Sequence, residues 1–210
     1  MFVNRRTAGE QLGEELLDRD VDADIVLAVP RGGLPLGRAV ADRLDVPLDI
    51  IAAKKLGAPN NPELAIGAAA SDGSLYRNDD VIDQLDVSEE YIEEQREWAA
   101  ETARDKEATY RTGEPPDFDG KRVVIVDDGL ATGATAIACI RMAEAAGAEH
   151  VVLAVPVGAP ESVDEAAQEA DEVVVLEEPM RFGAVGRHYE DFSQVSDEEA
   201  MAYLDRSQTP

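Results

Sequence analysis

Val123-Val124-Ile125-Val126-Asp127-Asp128-Gly129-Leu130-Ala131-Thr132-Gly133-Ala134-Thr135 is the stretch from which the rest of the chain is best read. Four branched apolar residues make a buried strand, too short and too β-branched for a helix. Two adjacent carboxylates stand where that strand ends. Small residues follow and open a helix through Ile137, Cys139, Ile140 and Met142. Helix N-termini carry orphan N–H donors that suit an anion. Gly129, Ala131, Gly133 and Ala134 let the backbone approach a phosphate closely, and Thr132 and Thr135 add hydroxyl donors. Asp127 and Asp128 would repel that phosphate at its own position, but a short distance away they can accept hydrogen bonds from sugar hydroxyls. An Asp-Gly turn before a Thr-capped helix is the plain alternative. The full pattern favours a sugar-phosphate site, and a ribose 5-phosphate suits it.

Composition narrows the partners. The chain has 210 residues, enough for one domain with a substantial core, and a net charge of −26. Such acidity argues against nucleic acid and anionic membrane as partners. Four lysines stand against fifteen arginines, and high acidity with scarce lysine resembles proteins of salt-in halophiles. An acidic chain that binds an anion needs local cations, so the positions of its rare lysines are informative. At molar salt the Debye length is about 3 Å, which mutes remote carboxylates. The single Cys139 excludes an internal disulfide and a cysteine zinc cluster, and is read as a small core residue. No leader or long apolar span is visible, so a cytoplasmic protein is expected.

Along the chain, a first helix is expected over Thr7 to Leu17, then a strand over Ile25 to Val29. The turn Pro30-Arg31-Gly32-Gly33 leads into a helix through Leu36, Val40 and Leu44. Pro47 to Ala52 reads as the next strand, with Lys54-Lys55 just beyond it. Gly57 to Gly67 reads as a loop turning back into a strand, with Glu63 a solvated or substrate-facing carboxylate. Ala65 to Ala70 and Leu75 to Arg77 read as antiparallel strands about the Ser71-Asp72-Gly73 turn. Ser88 caps a charged helix to about Tyr110 with a thin apolar stripe of Tyr91, Ile92, Trp98, Ala99 and Ala103. Val151 to Val157 and Val173 to Leu176 are strands separated by an acidic helix, and a short helix around Glu198 to Leu204 closes the tail. This alternation predicts an α/β fold, a mainly parallel sheet flanked by helices, with ligands beyond the carboxyl ends of its strands. One domain over residues 1–210 is expected, with a helical insertion at about 78–112 and a small C-terminal hood at about 177–210.

The segment from Val123 to Thr135 resembles the phosphoribosyl pyrophosphate signature of type I phosphoribosyltransferases. Lys54-Lys55-Leu56-Gly57, Asn61 to Gly67 and Tyr189-Glu190-Asp191-Phe192 resemble a branch of that family whose acceptor is unassigned. The resemblance implies that Asp127 and Asp128 hold the ribose hydroxyls and that Gly129, Leu130, Ala131, Thr132, Gly133, Ala134 and Thr135 hold the 5-phosphate. It gives Arg31, Gly32 and Gly33 the pyrophosphate, against a plain Gly-rich turn with a solvated arginine. At least one of Lys54 and Lys55 would neutralise the leaving group, against a solvated pair. Arg77, Arg104, Lys106 and Arg111 could close over pyrophosphate, or form surface ion pairs. Phe182 stacks on a flat acceptor or packs in the core, Tyr189 is read as core, and His188 as a surface histidine. The implied reaction is transfer of ribose 5-phosphate from phosphoribosyl pyrophosphate to a nitrogenous base, with inversion and release of pyrophosphate. Mg²⁺ would be the cofactor with no direct protein ligand, and the protein a possible homodimer. The alternative is a regulator of the same fold that binds phosphoribosyl pyrophosphate or a nucleotide without catalysis.

Overall fold

The computed structural model describes residues 1–111 and 113–205. Thr112 and residues 206–210, which the expected insertion and tail include, lie outside the described residues. Five strands form a parallel sheet in the order β2-β1-β6-β7-β8: β1 (Ile25–Ala28), β2 (Leu48–Ile50), β6 (Arg122–Val126), β7 (His150–Val157) and β8 (Glu172–Glu177). After Arg122 and His150 at their starts, β6 and β7 are apolar, as β1 is, because both faces are covered. Ile25, Leu27, Val123, Ile125, Leu153 and Val155 pack with α5 (Ala134–Ala145) and α6 (Pro160–Ala166). Val26, Val124, Val126, Val152 and Ala154 face α1 (Arg5–Asp18) and α2 (Leu34–Leu44). Cys139 is fully buried, as a small core residue should be.

The strand expected over Pro47 to Ala52 is shorter, because the chain leaves the main sheet after Ile50. It enters a second, antiparallel sheet of β3 (Ala53–Ala58), β4 (Asn61–Ala70) and β5 (Leu75–Arg77). The segment expected as a loop over Gly57 to Gly67 is therefore mostly strand. The register is irregular at Gly57, whose turn-like composition hides a bulged strand: a Cβ there would lie 2.7 Å from the Pro62 carbonyl, so only glycine admits that approach. Glu63 is a solvated carboxylate, though on a strand.

α3 (Asp79–Leu85) and α4 (Glu89–Tyr110) follow, the latter capped by Ser88, which accepts from Tyr91 N at 3.3 Å. Ile92, Ala99, Ala103 and Tyr110 are its buried seam, while Trp98, expected in the stripe, is 49% exposed. Glu107 ties the crossover between the two sheets to the end of β4, accepting from Ala52 N at 3.0 Å and Ser71 Oγ at 2.9 Å. The tail forms a 3-10 turn (Val185–His188) and α7 (Asp197–Leu204), whose Ala200 is buried beside Ala28 and Leu34.

α1 and α2 meet through small residues: a Cβ on Gly9 would sit 2.6 Å from Leu36 Cα and 2.8 Å from its carbonyl oxygen. Gly9→Val should lower stability by about 1–3 kcal/mol through overpacking. Gly113→Ala, whose Cβ meets nothing within 4 Å, should stay within about 0.5 kcal/mol. Denaturant melts of both variants check the contrast.

Candidate active site

The carboxyl end of β6 places Asp127 and Asp128 beside the turn that follows β1. Val29 N donates to Val126 O at 2.9 Å, and a Cβ on Gly33 would lie 2.6 Å from that same oxygen. Gly32 is tighter still, since a Cβ there would fall 2.2 Å from Asp128 Oδ2. Glycine is thus what lets this turn touch the acid pair. The Gly33 amide is consumed inside the turn, donating to Val29 O at 2.9 Å. This corrects the expectation that it would be a free anion donor. The Arg31 and Gly32 amides have no acceptor among the described residues.

Beyond the acid pair, Leu130 is tied to the next strand. Its amide donates to Val157 O and its carbonyl accepts from Ala159 N, both at 2.8 Å, and its side chain is in the core. Leu130 is an anchor and not a phosphate donor, a second correction. The following loop turns through Gly133 at φ +72°, and Ser162 Oγ braces it by donating to Ala131 O at 2.7 Å. The amides of residues 131–136 donate to no acceptor among the described residues. They converge on the N-terminus of α5, with Thr132 exposed and Thr135 half-buried beside them.

Arg5, which the sequence reading passed over, holds Asp128. Its Nε donates to Asp128 Oδ2 at 2.9 Å and its Nη2 lies 2.8 Å from the same oxygen. Nη1 donates to Ser193 O at 2.7 Å, and the guanidinium covers the Phe192 ring at 3.7 Å. Tyr189 OH donates to Asp128 O at 2.6 Å. Asp127 keeps no such cation; its Oδ1 accepts only from the Asp128 amide, at 2.8 Å. Burial raises the pKa of both acids, and the Asp128 charge pushes Asp127 higher, whereas Arg5 pulls Asp128 back down.

The cations are arranged differently from expectation. Lys54 and Lys55 lie within β3 and alternate faces. Lys54 faces α4, with its ammonium 5.6 Å from the Trp98 ring centroid. Lys55 turns to the other face and is engaged by Glu63, donating to its carbonyl at 3.0 Å. Lys106, half-buried on α4 between Ala103 and Tyr110, donates to Pro30 O at 3.3 Å. Burial lowers its pKa first, the charges of Lys54 and Arg31 lower it further, and Asp127 opposes them. Lys106, Lys54 and Arg31 therefore share one region with Asp127. Arg31 meanwhile pairs with Asp197 at the start of α7, at 2.9 Å, and Tyr110 OH donates to the same carboxylate. Arg77, Arg104 and Arg111 are not in the site: they bond Asp79 and Glu89, the Ser71 carbonyl, and Asp49 with Glu107.

In the tail, Val185 contacts the acid-pair segment at Gly129, where a Cβ would lie 2.7 Å from Val185 Cγ1. Phe182 stacks on His188 at 5.2 Å and packs against the α1-side core. Its expected open stacking face is thus already partly used. His188 Nε2 is 2.9 Å from Phe182 O.

The chain has known relatives. A family model described as a phosphoribosyl transferase domain matches residues 5–190. A Mycobacterium tuberculosis H37Rv protein, provisionally named phosphoribosyl transferase Rv0571c, is 43% identical over 99% of this chain and 47% of its own length. The chain thus spans about half the length of that relative. An adenine phosphoribosyltransferase of M. tuberculosis CDC 1551 is 33% identical over 75% of this chain and 58% of its own. The crystal structure of TT1426 from Thermus thermophilus superposes with a TM-score of 0.81 at 38% identity, covering 97% of both chains.

The two acids should respond oppositely to neutralisation. The raised Asp127 pKa means the folded state keeps a proton that the unfolded chain has released. Stability therefore falls as pH rises from the ordinary aspartate range to that higher value. Asp127→Asn should raise Tm at neutral pH, by about 2–4 °C per kcal/mol relieved. Asp128→Asn strips Arg5 of its partner and should cost about 2 kcal/mol. Thermal melts read both signs.

Proposed function

Because the chain belongs to the phosphoribosyl transferase domain family, we propose that it transfers ribose 5-phosphate from phosphoribosyl pyrophosphate to a nitrogenous acceptor and releases pyrophosphate. One observation carries this reading: the amides of residues 131–136, unpartnered among the described residues, follow directly on an acid pair whose Asp127 shares the neighbourhood of Lys106 with Lys54 and Arg31. The amides, with Thr132 and Thr135, hold the 5-phosphate. Asp127 and Asp128 accept from the ribose hydroxyls. The Arg31 and Gly32 amides, Lys54 and Lys106 receive the diphosphate, and Lys55 does not. Positive charge grows on the ribose beside the carboxylates and negative charge on the leaving group beside the cations, so each is met by fixed opposite charge.

Mg²⁺ fits this donor set. Mg²⁺ prefers water and substrate phosphates with few protein ligands. The half-buried Asp127 is the carboxylate that would meet it through water. Bound, the ion would neutralise charge on the diphosphate.

We read residues 1–210 as one domain, with the 78–112 insertion carrying Lys106 and the 177–210 tail bordering the acceptor, where Phe182 supplies an edge more than a face. No helix among the described residues is long and apolar enough to cross a membrane. The charge of −26 fits adaptation to high salt, and we read the protein as a cytoplasmic homodimer acting on a small-molecule acceptor. The screen that tests the function pairs phosphoribosyl pyrophosphate and Mg²⁺ with a panel of bases in molar KCl and follows pyrophosphate. Release with one base supports the transferase. Tight binding with no release from any base supports the non-catalytic regulator instead.

Lys54→Ala and Lys106→Ala should each weaken phosphoribosyl pyrophosphate binding about tenfold, and Lys55→Ala less than about twofold. Equal losses from all three would reject the assignment. Since Lys106 releases its proton below the pH of a free lysine, affinity should fall early on the alkaline side. Lys106→Arg should move that limb to higher pH, as calorimetric titrations across pH would show.

A further inference from the structure

The sequence of α4 is crowded with carboxylates, and Glu94, Glu97 and Glu101 lie exposed within about one turn of Trp98. Trp98 breaks that pattern with the only indole of the chain, 49% exposed. Beside it is Lys54, whose ammonium lies 5.6 Å from the ring centroid. The other candidate cations are held differently. Lys55 is engaged by Glu63, and Arg31 pairs with Asp197. The Lys54 ammonium has neither a carboxylate nor a hydrogen-bond acceptor among the described residues. In a chain with 45 acidic residues, a lysine that meets a ring instead of a carboxylate keeps its full charge.

Lys54 also stands close enough to Lys106 for its charge to lower the Lys106 pKa. Like charges within that range repel, and a flexible lysine side chain is free to swing toward a carboxylate instead. An aromatic face opposes the swing: its quadrupole attracts the ammonium while offering no oxygen that would neutralise it. We propose that Trp98 is a positioning residue for Lys54, holding its ammonium toward the diphosphate and leaving its charge and N–H donors for phosphate oxygens. This role rests on the assignment of Lys54 to the diphosphate, and it gives α4 a second hand in the site besides Lys106. Trp98→Glu would extend the acidic pattern of the helix and set a carboxylate in competition with the ligand for the same ammonium.

Pyrophosphate with Mg²⁺ is titrated calorimetrically into the intact chain in molar KCl, where a Debye length of about 3 Å mutes remote charge. Trp98→Leu should weaken binding about two- to fivefold, the size of an exposed cation–π contact, and Trp98→Phe should restore most of it. Trp98→Glu should approach the loss of about tenfold expected of Lys54→Ala. In a Lys54→Ala background, Trp98→Leu should change nothing further, because the ring then has no ammonium to hold. A loss in Lys54→Ala with none in Trp98→Leu overturns the positioning role and leaves the diphosphate assignment standing. A Trp98→Leu loss undiminished in the Lys54→Ala background overturns it too, since the ring would then act on the fold and not on the lysine. No loss in either variant removes the diphosphate assignment and this role together.

Discussion

The contact between Arg5 and Asp128 organises more of this molecule than any other single interaction. It joins the first turn of α1 to the end of the central strand β6, and through Ser193 and Phe192 it draws the tail onto the same point. Two adjacent carboxylates at a half-buried strand end would otherwise repel one another in a low-dielectric setting. Arg5 neutralises one of them, and that leaves Asp127 as the uncompensated member. Gly32 follows from the same constraint, because Asp128, held in place, leaves no room for a Cβ. The opposition between stability and site chemistry is thus concentrated in one residue, Asp127.

Much of the fold was readable because local pattern and tertiary structure agree there. The run from Val123 to Val126, the small-residue loop and the α5 seam all point to one parallel strand and helix. The Ser88 cap and the charged length of α4 were equally plain. What sequence did not disclose are contacts between distant segments. Arg5 is 123 positions from Asp128, and no periodicity foretells that pairing. Lys54 and Lys55 looked equivalent as a dipeptide, but a strand sends neighbours to opposite faces, and only the presence of β3 separates them. Lys106 did leave a trace: it continues the spacing of Ile92, Ala99 and Ala103 toward Tyr110, a cation on an apolar seam.

Cation economy explains why so few groups matter. Most arginines of this acidic chain are spent on surface or inter-element ion pairs, such as Arg77 with Glu89 and Arg141 with Glu169. Both are two-pronged pairs that commit the guanidinium to a carboxylate of the chain itself. Lys106 and Lys54 lack a carboxylate partner among the described ion pairs, and burial together with the Lys54 charge makes the Lys106 ammonium costly.

That cost has a consequence for the protein's persistence. Lys54 belongs to the small sheet, Lys106 to α4 and Arg31 to the turn after β1, so one polyanion among them would fasten three separately anchored segments. With it the native state gains by mass action as free anion exceeds its dissociation constant. Openings of the small sheet would then grow rarer as the anion accumulates, and cleavage by proteases slower. The lifetime of the chain itself would register how much of its ligand the cell contains.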